Sequence, residues 1–124
     1  GHVINPMILT GQLVGATAQG IGATILEELV YDEGGQPLAG SLMDYLLPTS
    51  RDVPPIESEV IDLAPSPLNP LGVKGAGEIG IVATGAALSN AVSHALSPLG
   101  VQVRELPLSP DRLMELIREG NIAR

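Results

Sequence analysis

Four glycines enclose one carboxylate in Gly72-Val73-Lys74-Gly75-Ala76-Gly77-Glu78-Ile79-Gly80. Glycine lets a backbone come close to a ligand or take dihedrals that other residues avoid. A glutamate among such small and apolar neighbours is a candidate general base, able to take a proton from a reacting group. The competing reading of Glu78 is a first-turn residue that satisfies helix amides. Lys74, four residues upstream, either pairs with Glu78 or is solvated. A second group is Gln12, Gly15 and Gln19, which fall at i, i+3 and i+7 on one helix face. Side-chain amides both donate and accept, so Gln12 and Gln19 suit a heterocycle or an oxo group, and equally a polar helix–helix contact. Gly75, Gly77 and Gly80 also match G-x-G-x-x-G, a possible dinucleotide fingerprint. That motif should follow directly on a buried strand, whereas here Pro65, Pro67 and Pro70 precede it. His2 and His94 are far apart with no carboxylate at ligand spacing, so no metal site built from side chains is predicted. No G-x-S-x-G elbow is present for a serine nucleophile.

These residues need elements to hold them. Residues 11–30 predict a helix, with Leu13, Val14, Ile21, Ile25, Leu26 and Leu29 near helical spacing. Its glycines, Gly11, Gly15, Gly20 and Gly22, each weaken it by about 1 kcal/mol relative to Ala, which implies that something packs close to its backbone. Leu29–Asp32 and Ser41–Leu47 predict a β-hairpin about the Glu33–Pro37 turn, and Glu57–Leu63 predicts a third strand. A stiff proline-rich loop, 64–71, then leads to the glycine segment. A buried helix is predicted from Gly80 to Leu96, a fourth strand over Val101–Leu106, and a last helix capped by Ser109 with Pro110 at its first position and ended by Gly120. The predicted fold is a single α+β domain over residues 1–124. It holds a mainly antiparallel sheet of about four strands with three helices, in the order helix-strand-strand-strand-helix-strand-helix.

Composition narrows the function. Hydrophobic residues make up 44% of the 124 and charged ones 16%, which argues against disorder. With two Tyr and no Phe or Trp the core must be aliphatic, and no stacking surface exists for single-stranded nucleic acid. The formal charge of −8, with no Lys or Arg before Arg51, argues against nucleic acid and anionic membranes as partners. The absence of Cys removes disulfides, thiolate metal sites and a Cys nucleophile, and is compatible with a cytoplasmic location. No apolar run reaches the roughly 20 residues of a membrane span, because Thr84, Ser89, Asn90, Ser93 and His94 interrupt Ile79–Leu96. No signal peptide is evident.

Taken in order, the segments resemble the molybdenum-binding large subunit of the xanthine oxidase family of molybdenum hydroxylases, a group that includes carbon monoxide dehydrogenases, aldehyde oxidoreductases and xanthine dehydrogenases. The resemblance rests on Val3-Ile4-Asn5-Pro6, on Gly11-Gln12-Leu13-Val14-Gly15-Ala16-Thr17-Ala18-Gln19-Gly20-Ile21-Gly22, and on Glu27-Glu28. It continues through Asp44-Tyr45, Pro48-Thr49 and Gly72 to Glu78, and covers the chain to about Leu106. The Gly-Val-Lys-Gly-Ala-Gly-Glu run looks closer to the carbon monoxide dehydrogenase and bacterial aldehyde oxidoreductase branches. The family subunit is several times longer, so the resemblance implies a C-terminal fragment that begins where the family motif does. It implies that Gln12 contacts a molybdopterin-type molybdenum cofactor, that Gly77 and Glu78 form the Gly-Glu pair beside it, and that Glu78 is the catalytic base. Gln19 takes a supporting place near the cofactor. The implied partners are the remainder of the large subunit, iron–sulfur and flavin subunits or domains, and a small-molecule substrate. Alone, the fragment is expected to be inactive, cofactor-free and prone to self-association.

Overall fold

The computed structural model describes residues 1–122. Its regular structure is helical: α1 (Pro6–Ile25), α2 (Thr84–Ala95), a 3-10 turn (Ser97–Leu99) and α3 (Pro110–Ile122). Helix α1 begins and ends earlier than the predicted 11–30. The Asn5 side chain accepts a hydrogen bond from the Ile8 amide at 3.0 Å, and Pro6 takes the first helical position. This pairing of an N-cap with an N1 proline sets the start. The Gly22 carbonyl accepts from both the Leu26 and Glu27 amides, at 2.8 and 2.9 Å, and the chain leaves the helix there.

Helix α2 starts at Thr84 rather than Gly80. The intervening residues make successive turns, Ile81 N–H to the Glu78 carbonyl and Thr84 N–H to the Ile81 carbonyl, each 3.2 Å. Glu78 is therefore not a first-turn helix residue. Helix α3 starts as predicted at Ser109, whose hydroxyl and carbonyl accept from the Arg112 and Leu113 amides. Gly120 lies inside α3 and does not end it. A Cβ there would fall 2.5 Å from the Leu99 carbonyl oxygen, so this glycine serves close packing.

No β-sheet forms among the described residues, and the predicted α+β fold with its four-stranded antiparallel sheet is overturned. The one antiparallel contact is an isolated bridge between Tyr31 and Pro37. Proline has no N–H to extend a ladder. Beyond it, the second predicted strand turns back on itself: the Ser41 carbonyl accepts from the Asp44 and Tyr45 amides, and the Ser41 hydroxyl donates to Asp44 at 2.8 Å. Residues 57–63 have no regular structure and no neighbouring strand among the described residues. Val60 and Ile61 are adjacent in sequence, so that segment has no single apolar face to bury. Residues 101–106 lie along α2 instead of another strand, with the Val103 amide bonded to the Ser93 hydroxyl at 2.9 Å.

The helices meet through small residues. A Cβ on Gly20 would sit 2.6 Å from the Thr84 Cβ, so α1 and α2 touch at van der Waals contact there. Thr24, 1% exposed, returns its hydroxyl to the Gly20 carbonyl at 2.6 Å, and its own carbonyl accepts from the Leu108 amide. Val101 and Leu108 are the buried hydrophobic residues of this small core. Burying each contributes about 1.5–3 kcal/mol. Most of the apolar content stays outside: Leu68, Met43 and Leu63 are 92%, 88% and 87% exposed. The accessible surface is 9081 Å² for 12.8 kDa, against roughly 6,300 Å² for a compact monomer of that mass.

Candidate functional site

The glycine-rich segment is pinned at both ends and open in the middle. At its start, Gly72 is buried and has φ 65°, a left-handed conformation that favours glycine. Its carbonyl accepts from the His2 and Ser66 amides at 3.1 and 3.0 Å, and its amide donates to Asn69. The Asn69 side chain closes the turn. Its amide nitrogen donates to the Val73 carbonyl at 3.0 Å, and its oxygen accepts from the Val73 amide at 3.1 Å. At its end, Gly80 lies on α1, where a Cβ would fall 2.7 Å from the Leu13 carbonyl oxygen and 2.8 Å from the Ala16 Cβ. Between these anchors, a Cβ on Gly75 or Gly77 would meet nothing within 4 Å.

The loop and the first half of α1 face each other across a cleft of about 530 Å³, within the usual size range of ligand sites. Gln12, Lys74, Gly75, Gly77 and Ile79 help to line it. The structure thus brings Gln12 and Gly77 to one site. Glu78 sits between two lining residues, Gly77 and Ile79. It is exposed, and its carboxylate makes no hydrogen bond or ion pair with any described residue, Lys74 included. Gln19 does not line this cleft. It is exposed, two turns further along α1, or about 10 Å at the helical rise. His2 also lines the cleft and bonds Asp62 at 2.9 Å through Nδ1, while His94 is exposed in the last turn of α2. Among the described residues no group of three His, Cys, Asp or Glu is placed to hold a metal ion.

The arrangement does not suit a dinucleotide pyrophosphate. No strand precedes Gly75, and no helix begins at Gly80. The Gln12 amide, both donor and acceptor, has no partner among the described residues and lines the cleft with Gly75, Gly77 and a mainly aliphatic set that includes Ile8, Val60 and Ile79. Sequence reasoning passed over Asn69, although Asn69-Pro70 is a turn-initiating dipeptide, and over Asn5-Pro6 as the true start of the helix that carries Gln12.

Residues 1–54 match the family described as a molybdopterin cofactor-binding domain. Over 113 residues the chain is 47% identical to subunit gamma of the 6-hydroxypseudooxynicotine dehydrogenase complex of Paenarthrobacter nicotinovorans, covering 91% of this chain and 14% of that protein. The chain belongs to the molybdenum-binding large subunits of the molybdenum hydroxylases. Across this family the match to the carbon monoxide dehydrogenase large chain of Hydrogenophaga pseudoflava is 33% over 123 residues, 99% of this chain and 15% of the relative. The structure of quinoline 2-oxidoreductase from Pseudomonas putida 86 superposes with a TM-score of 0.92 at 46% identity, covering 96% of this chain and 15% of that one. The chain thus spans about one seventh of the length of the relatives that it matches.

Proposed function

We propose that this chain is the C-terminal part of a molybdenum hydroxylase large subunit, where it closes one side of the molybdenum cofactor and supplies the catalytic base. The cofactor, a molybdopterin-type group held by the whole subunit, would supply two-electron oxidation of a carbon atom in a small-molecule substrate. Gln12 orients the group through its unpartnered amide. Gly77 carries no side chain, so the loop backbone approaches closely. Gln19 supports the same helix face from two turns away. Glu78, at the mouth of the cleft with no internal partner, takes the proton released as oxygen attacks the substrate carbon. Electrons leave through iron–sulfur and flavin subunits or domains. Of the described residues, no helix is long and apolar enough to cross a membrane, and the proposed location is cytoplasmic.

The observation that carries this reading is the meeting of Gln12 and Gly77 in one cleft, with open space where a Cβ on Gly75 or Gly77 would go. The surface excess supports the fragment assignment. Apolar residues such as Leu42, Met43, Leu63 and Leu68 are more than half exposed, as they would be in a piece lifted out of a larger core. The deciding test is Glu78→Gln in the full-length enzyme. Turnover should fall by about 10²–10⁴-fold, the usual contribution of a general base, while molybdenum per polypeptide stays at the wild-type level. Near-normal turnover in that variant would remove Glu78 from the reaction.

A further inference from the structure

Lys74 is the only lysine in a chain with six basic and fourteen acidic side chains. In so acidic a setting a cation has many possible partners, and Arg112 takes three carboxylates, those of Glu105, Glu115 and Glu119. Lys74 takes none: its ammonium has no ion pair or hydrogen bond among the described residues. Lys74 is exposed, but its backbone is held in place. The residue before it is held by the Asn69 amide on both its N–H and its carbonyl. Its own backbone nitrogen and Cγ lie so close to Gly1 that a Cβ there would fall 2.8 and 2.9 Å away. It lines the same cleft as Gln12 and Gly77. Two acidic residues are near in sequence or across the cleft, Glu78 and Glu59, and neither pairs with it. An ammonium has three donors and no acceptor, and it is a compact point charge suited to phosphate oxygens.

We infer that Lys74 is a positioning residue for the cofactor, its ammonium binding an anionic phosphate oxygen of the molybdopterin group. This rests on the reading of the cleft as the cofactor site. The test uses the full-length large subunit, purified as wild type, Lys74→Met, Lys74→Arg and Glu78→Gln. Molybdenum and pterin per polypeptide are measured before and after dialysis at raised ionic strength, and substrate KM is measured on the loaded fraction. Lys74→Met should retain cofactor about tenfold less well, equivalent to about 1.4 kcal/mol. Lys74→Arg should restore most of the retention, with KM unchanged in each. Wild-type cofactor content in Lys74→Met overturns the inference. So does full cofactor content with a raised KM, which would assign the ammonium to a substrate anion, and so does equal loss in the Met and Arg variants. A Glu78→Gln enzyme that keeps its molybdenum and loses turnover leaves the cofactor-site reading standing even if the Lys74 result fails. A wild-type subunit that holds no molybdenum sinks that reading itself.

Discussion

At the scale of single residues, the site is defined by what glycine leaves open and what it lets close. Gly77 and Gly80 are three positions apart and have opposite surroundings: a Cβ on the first meets nothing within 4 Å, and on the second it meets the Leu13 carbonyl oxygen at 2.7 Å. Gly77→Ala should therefore change the chain's own stability by less than about 0.5 kcal/mol, as for other open surface positions, yet lower cofactor content in the full-length enzyme. Gly80→Ala should cost about 1–3 kcal/mol through overpacking. Denaturant melts set against molybdenum content separate the two. A second prediction concerns the Thr49–Asp52 turn, where the Thr49 amide and hydroxyl both donate to the Asp52 carboxylate, at 2.8 and 2.6 Å. The hydroxyl bond and then the amide bond hold the Asp52 carboxyl below the usual aspartate range. With the folded value lowered, the turn's stabilisation is complete above the unfolded value and is lost as pH falls through the lowered one. The Thr49 amide resonance should report that transition on the acid side of the ordinary aspartate titration. Asp52→Asn should abolish it. An amide shift that is flat with pH in the wild type would show that the turn is not held this way.

At the scale of elements, α1 is where the packing argument is sharpest. Its N-terminal glycines, Gly11 and Gly15, have open space where a Cβ would go, whereas Gly20 and Gly22 are pressed on Thr84 and Pro48. Gly15→Ala should raise helix content and stability by up to about 1 kcal/mol, the propensity difference. Gly20→Ala gains the same propensity but meets Thr84, and should be net destabilising by about 1–3 kcal/mol. Circular dichroism of the two variants should move in opposite directions. Two stabilised variants would mean that α1 and α2 do not meet at Gly20. The helices were legible in the sequence because their apolar spacing and caps are local signals. Ser109-Pro110 marked the start of α3 directly, and Asn5-Pro6 carried the same kind of signal for α1 where periodicity alone started the helix too late. The sheet was misread because β patterning implies a partner that the chain does not provide. Ser41-Leu42-Met43-Asp44 places a hydroxyl three residues before a carboxylate, a turn-forming pattern that outweighed its apolar neighbours. For the site, local spacing left Glu78 and Gln12 open to bland readings. Their shared cleft depends on Asn69 and Gly80 anchoring the loop, and no periodicity encodes such a long-range contact.

At the scale of the whole molecule, the surface decides the behaviour of the isolated chain. Its 9081 Å² exceeds the roughly 6,300 Å² of a compact monomer of that mass by more than a standard one-sided interface of about 800 Å². One docking partner of ordinary size would not cover the excess. Many of the exposed apolar residues lie along 42–71, from Leu42 and Met43 through Ile61 and Leu63 to Leu68 and Leu71, a segment without helix or strand. Water-exposed apolar surface of this extent drives association, while a charge of −8 opposes close approach of copies at low ionic strength. The two effects respond oppositely to salt, since screening weakens the repulsion and leaves the apolar term in place. The purified chain should therefore self-associate at micromolar concentration, more strongly at 0.5 M than at 0.05 M salt, between which the Debye length shortens by about threefold. It should also carry no stoichiometric molybdenum, because the chain spans about one seventh of the length of its relatives and the remaining cofactor contacts are expected from the rest of the subunit. Sedimentation velocity at the two salt concentrations, with metal analysis of the same sample, checks both expectations. A monodisperse monomer at high salt would mean that the exposed 42–71 surface is covered by a rearrangement within the chain, and stoichiometric molybdenum would mean that the residues of this chain are enough to hold the cofactor.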